Sequence, residues 1–221
     1  ETSSRSLPEN AYRPLKPGES YQPVVPAHVT EREWTVRSVV IGMVMAVVFS
    51  AAAAFLGFKV GQVFEAAIPI AILAVGFGFL FPRRSTLLEN VIIQSIGAAS
   101  GLVVAGSIFT LPALFILGLP VDLFKLFLVA LFGGILGVLF LIPLRRYFVK
   151  EMHGEFPFPE ATATTEILVA GEAGGKQAKV LAAAAGIGGL FDFLIIHFGA
   201  WAEVFTTRSI PVLATLAEKA R

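Results

Sequence analysis

Three long stretches of this chain carry no charged residue, and that feature limits most sharply what the chain can fold into. Ser38 to Phe58 runs 21 residues without Asp, Glu, Lys or Arg, Asn90 to Val121 runs 32, and Leu126 to Leu144 runs 19. Crossing the hydrocarbon core of a bilayer takes about 20 apolar residues of helix. With 56% hydrophobic and 15% charged residues among 221, the chain has more apolar surface than one soluble globule can hide, so lipid is needed as a second apolar solvent. The expected fold class is all-α, a polytopic membrane helix bundle.

Five spans are expected, at about 38–58, 61–81, 90–118, 126–144 and 180–205. The second holds Glu65 and then Pro69 and ends at Pro82, Arg83 and Arg84, a pattern that predicts a kinked helix. The third is too long, since 32 uncharged residues make about 48 Å of helix against a core of about 30 Å. It must tilt or break; a break is expected between Gly101 and Pro112, and Gly118, Leu119 and Pro120 form the exit turn. Pairs of glycines four apart, Gly57 with Gly61, Gly97 with Gly101 and Gly133 with Gly137, offer close helix contacts.

Residues 1–35 hold Pro8, Pro14, Pro17, Pro23 and Pro26 among polar groups and read as a flexible or extended tail. Thr30, Glu31, Glu33 and Trp34 look like a helix entry. Residues 145–179 read as a polar loop with a short helix from Glu160 to Ala170, started after Pro159 and stopped at Gly171. Residues 206–221 read as the start of a connecting segment, and the chain as a fragment of a longer protein. Arg32, Arg37, Arg83, Arg84, Arg145, Arg146, Lys150, Lys176 and Lys179 all fall on one side of this topology. That side is expected to be cytoplasmic, with the N-terminus inside and the protein in the plasma membrane, here a bacterial inner membrane.

A net charge of +1 argues against a nucleic-acid partner. Zero cysteines remove thiolate ligands and nucleophiles, and His28, His153 and His197 are too scattered for a metal site, so no metal or cofactor is expected. Gly171 to Lys176 imitates a phosphate loop, but Ala170 stands where its first glycine belongs and Gln177 where a Ser or Thr would hold magnesium. Gly186, Gly188 and Gly189 make only part of a dinucleotide pattern, inside an apolar span.

Polar groups inside the spans are the candidate functional residues, because burying them in lipid costs several kcal/mol unless they meet water, a partner or a proton. Glu65 and Asp192 are candidates for carrying a coupling proton; the plainer reading of Glu65 is an interfacial partner of Lys59. Asn90 and Gln94, just after Glu89, share one helix face and could line a polar path, or serve as a cap and an interhelical hydrogen bond. Glu203 is read as solvated, and His197 with Trp201 as an interfacial pair.

The run FPFPEATATTEIL, from Phe156 to Leu168, resembles the proline, aromatic, proline, glutamate, small, threonine segment of the oligopeptide transporter family, especially its yellow-stripe-like and bacterial branch. The stretch from Arg37 to Leu73 resembles that family's opening helices, and Ile142 to Val149 the boundary after its fourth. Ala161 departs from the family, where glycine is frequent. The resemblance implies a secondary transporter, of which this is the N-terminal portion, carrying small peptides or peptide-like metal chelates with protons as the coupling ion. Asn90, Gln94, Glu160, Thr162 and Thr165 are the substrate-binding candidates. A helix opening at Glu160 with Thr162, Thr164 and Thr165 would offer free N–H groups to a substrate carboxylate, although Glu160 opposes an anion unless protonated. An integral membrane enzyme acting on lipid-linked substrates, with Glu65, Glu160 and Asp192 as acid and base, is the alternative, and a structural subunit a third.

Overall fold

The computed structural model of the chain describes residues 7–26, 28–173 and 176–198. Six α-helices make up the described part: α1 Val36–Val60, α2 Ala67–Leu80, α3 Leu87–Ile116, α4 Leu123–Arg146, α5 Pro159–Ala173 and α6 Lys176–Phe198. A short 3-10 turn covers Glu9–Ala11, and a π turn extends α4 over Tyr147–Glu151. No strand occurs among the described residues. Three helices are long and apolar enough to cross a membrane, α1, α3 and α4 with its π turn, and Ala67–Gly78 and Gly186–Ile195 are shorter apolar helices.

The helix entry expected at Thr30 lies five residues later. Thr35 caps α1: its hydroxyl accepts from the Ser38 N–H, and the Ser38 hydroxyl accepts from the Thr35 N–H. Thr86 and Glu89 make the same reciprocal box at the start of α3, so Asn90, read as a possible cap, sits inside that helix.

Gly42 and Gly97 let the helices touch. A Cβ on Gly42 would lie 2.9 Å from Cβ of Ile96, and one on Gly57 would lie 2.5 Å from Cδ1 of Ile108. Because both numbers rise together, α1 and α3 run parallel. Gly97 receives Ile70 and Met45, and Gly101 faces Phe64 and Glu65, so α2 runs antiparallel to α3. Ala66, Ile70, Ala74, Met45 and Ile93 form the core between these three helices. Gly61, by contrast, is no helix contact. It takes a left-handed φ of 76° as the C-cap of α1, a conformation that costs glycine nothing. Gly133 and Gly137 meet nothing within 4 Å, and α4 buries none of its residues.

Parallel α1 and α3 require the chain to return between them, and it does so in an unexpected way. The sequence predicts a kinked helix over 61–81, but residues 61–66 are non-helical and α2 starts only at Ala67. Pro69 therefore falls in the first turn of a helix, where its missing N–H removes no helical bond. The end of α1 lies near Ile108 and the start of α2 near Gly101, so the linking segment runs back alongside α3 for roughly 10 Å.

The break expected in the third span between Gly101 and Pro112 is absent, and α3 is one helix of 30 residues with Pro112 inside it. At about 45 Å it exceeds a 30 Å core, so it tilts or projects. The helix ends at Leu117, and Gly118 turns the chain with a φ of 65°.

Residues 1–178 form one compact unit and 179–221 a second. In the second, His197 stacks on Phe193 with ring centroids 5.2 Å apart. Trp201, Glu203 and the segment 206–221 lie outside the described residues.

Gly97→Leu should overpack the contact with Ile70 and Met45. The purified intact carrier is expected to lose about 1–3 kcal/mol of stability, read as a fall in melting temperature in detergent. An unchanged melting temperature would contradict the α1–α2–α3 packing.

Candidate functional site

The segment from Phe156 to Leu168, with Pro157, Pro159 and three threonines, forms one side of the site. Pro159 fits the first helical position, the Thr162 N–H donates to the Phe158 carbonyl at 2.9 Å, and α5 follows to Ala173, three residues beyond the expected end. Gly171 does not stop the helix because it is needed as a contact: a Cβ there would lie 2.6 Å from Cγ2 of Val75. Leu168 and Val169 pack with Ala71, Val75 and Leu87, which seats α5 on α2 and α3.

This seating leaves a cavity of about 580 Å³ between α3, α5, the start of α2 and the N-terminal tail. Three residues singled out from sequence line it: Gln94 from α3, Glu160 and Thr165 from α5. Thr165 donates its hydroxyl to the Ala161 carbonyl at 2.7 Å, which leaves the oxygen free to accept. Thr162 instead lines a neighbouring cavity of about 770 Å³, bounded by the tail and residues 148–159. Asn90 lies one turn before Gln94, is 4% exposed, and its side-chain oxygen has no hydrogen-bond partner.

Glu65 is elsewhere, exposed in the extended link, with its carboxylate about 4 Å from where a Cβ on Gly101 would stand. Lys59 lies over the Phe55 ring at 5.5 Å. Asp192 belongs to α6, and its side chain lies outside the described residues.

Thr164, which the sequence places with Thr162 and Thr165 on the helix opening at Glu160, lines the cavity, is 6% exposed, and its hydroxyl has no hydrogen-bond partner. It lies on the buried face of α5, four residues before Leu168.

The part that sequence reasoning left out of the site is the tail, read as flexible or extended, whose Leu7, Tyr21, Pro23, Val24 and Val25 form a wall of the cavity. Its polar anchors are long-range: the Tyr12 hydroxyl donates to Glu166, and His153 bonds the Asn10 carbonyl at 2.9 Å. The Glu166 hydrogen bond holds the Tyr12 phenol above its usual range. Tyr21 lies against the His153 ring at 5.2 Å. Arg13 and Glu19 clasp the turn between them at 2.8 Å, and this pairing, helped by the Lys16 N–H, lowers the Glu19 carboxyl to about 2. A carboxyl lowered on folding adds stability that is full above its ordinary 4.5 and is lost as pH falls towards 2.

Among the described residues, apolar helices, an interrupted second segment and a polar-edged cavity make up a membrane helix bundle. The model of the family described as OPT oligopeptide transporter protein matches residues 33–217, and the chain belongs to that family. The enzyme reading falls with that membership. The chain is also 37% identical over 144 residues to a protein of Haemophilus influenzae named "Putative oligopeptide transporter". The match takes in 63% of this chain and 22% of that relative, so the chain spans about a fifth of the relative it matches. No solved structure matches.

Gly154 has a φ of 76°, and a Cβ on it would overlap the backbone of Arg13 and Pro14. Gly154→Ala should dislodge the tail, so that chymotrypsin cuts after Tyr12 or Tyr21 at least several-fold faster in the membrane-embedded protein. Equal cleavage rates would show that the tail does not hold the cavity wall in place.

Proposed function

We propose that this chain builds part of a proton-coupled carrier that takes small peptides, or peptide-like metal chelates, across the plasma membrane. The observation that carries the reading is the cavity itself, where Gln94, Glu160 and Thr165 from two separate helices meet beside buried Thr164. The "oligopeptide transporter" in the relative's name supports a peptide as the cargo. A volume of about 580 Å³ accommodates a small peptide, given that pockets for small ligands run from about 300 to 1,000 Å³.

Coupling is assigned to Glu65 or Asp192. Glu65 sits in non-helical backbone beside Gly101, midway along α3, and irregular backbone within a membrane bundle is tolerated where it is packed in protein or lines a cavity. A carboxylate there can take up a proton on one side and release it on the other as access alternates. The N-terminal tail and residues 145–179 are assigned to the cytoplasmic side from the distribution of Arg and Lys.

Reconstituted in vesicles, the intact carrier should accumulate tripeptide when a pH gradient is imposed. Glu65→Gln or Asp192→Asn should abolish that accumulation while exchange between two loaded compartments continues, because exchange needs alternating access and no net proton release. If both amide variants still concentrate substrate, neither group couples.

For orientation, a cysteine placed at Ser85 or Gly154 should be shielded from an impermeant outside reagent, and one at Thr207 should react. Labelling of the Ser85 position from outside would overturn the N-inside topology.

A further inference from the structure

The cavity has a sign. Of the described residues that line it, Glu160 alone carries a full charge; the others are apolar or neutral polar, namely Tyr21, Gln94, Thr164 and Thr165 among the latter. Lysine, arginine and histidine are missing from this lining, whereas His153 belongs to the neighbouring cavity.

Three helix starts also line the cavity, those of α2 and α5 and that of α3 at Leu87 and Leu88, where Glu89 in the first turn offsets the helix end. A helix N-terminus is equivalent to about half a positive charge, effective within the first turn. At α5 this is more than offset by Glu160, which lies in that same first turn. The start of α2 at Ala67, which has no side-chain cap, adds a second half-charge. The sum is no better than neutral for an anion, and the one full charge is negative.

We propose that Glu160 receives the ammonium group at the amino terminus of a peptide, with the apolar walls of α3, α5 and the tail taking its side chains. The consequence is a substrate class: short peptides with a free amino terminus are selected over anionic metal chelates. A chelate with several carboxylates would meet like charge at Glu160, with no cationic side chain among the described residues of the lining. The assignment rests on the carrier reading above, and it reverses the polarity expected from the α5 start alone.

The test is competition for uptake by the intact carrier in vesicles, with radiolabelled alanyl-leucyl-alanine as the probe. Competitors are the unlabelled tripeptide, its N-acetyl derivative, its C-terminal amide and ferric EDTA. A charge-assisted hydrogen bond is worth about tenfold or more in affinity, so the N-acetyl form should compete at least tenfold less well, and the C-terminal amide should lose less than threefold. Ferric EDTA should not compete. Glu160→Gln should bring the free and N-acetyl peptides within about twofold of each other, and Glu160→Asp should restore the preference.

Equal competition by the N-acetyl form in the wild-type carrier overturns the assignment while leaving a peptide carrier in place. That comparison needs no variant, so a Glu160→Gln protein that fails to fold does not rescue the idea. Uptake of ferric EDTA in preference to the tripeptide overturns both the assignment and the peptide reading.

Discussion

A buried carboxylate at the foot of two helices sets the register on which the rest of the structure depends. Glu89 is 1% exposed, and it accepts hydrogen bonds from the Thr35 hydroxyl at 2.8 Å, from the Thr86 N–H at 3.1 Å and from the Arg83 guanidinium. Through it the cap of α1 and the cap of α3 become one network. The two helices begin side by side with their positive ends together, and a negative charge between them relieves that repulsion. Arg37 extends the network, donating to the Arg83 carbonyl at 2.8 Å and lying 4.8 Å from the centroid of the Phe81 ring. A buried ion of this kind is costly to leave unpaired, and so the network specifies one alignment of α1 against α3.

That alignment decides where the glycines fall. With the helix starts fixed together, Gly42 comes opposite Ile96, Gly97 opposite Met45 and Ile70, and Gly101 opposite the extended link. The link must descend alongside α3, and it passes Gly101 with the Phe64 carbonyl and the Glu65 carboxylate at van der Waals distance from where a Cβ would stand. The short α2 that follows supports α5, α5 opens the cavity, and the tail walls it. The interrupted second segment and the cavity are thus consequences of helix register, not independent features.

Exposure on α4 follows a different logic. Its face is apolar all round, it buries none of its residues, and its Ala130, Leu131, Gly134 and Ile135 line only a shallow surface groove. In a membrane such a surface needs no protein cover, since lipid is as apolar as leucine.

Long-range order separates what could be read from the chain from what could not. The apolar runs from Ser38, Asn90 and Leu126 announced α1, α3 and α4, because hydrophobicity over 20 residues is a local sum. Pro159 likewise announced α5, and Gln94, Glu160 and Thr165 were singled out by their chemistry. The tail's part in the site was not legible, because its prolines rule out a helix but do not reveal partners such as Glu166 and His153, more than 140 residues away. Glu89 was passed over for the same reason, its importance lying in Thr35 and Arg83, which folding brings to it. The second segment illustrates the limit best: composition gave its apolarity, but whether Gly61 to Ala66 would coil or extend depended on the space beside Gly101. The sequence by itself determined that this chain enters a membrane as helices, since that follows from local apolarity and local caps. Only the tertiary structure decided where helix gives way to extended chain and which polar groups share a cavity, because both depend on contacts between residues far apart in sequence.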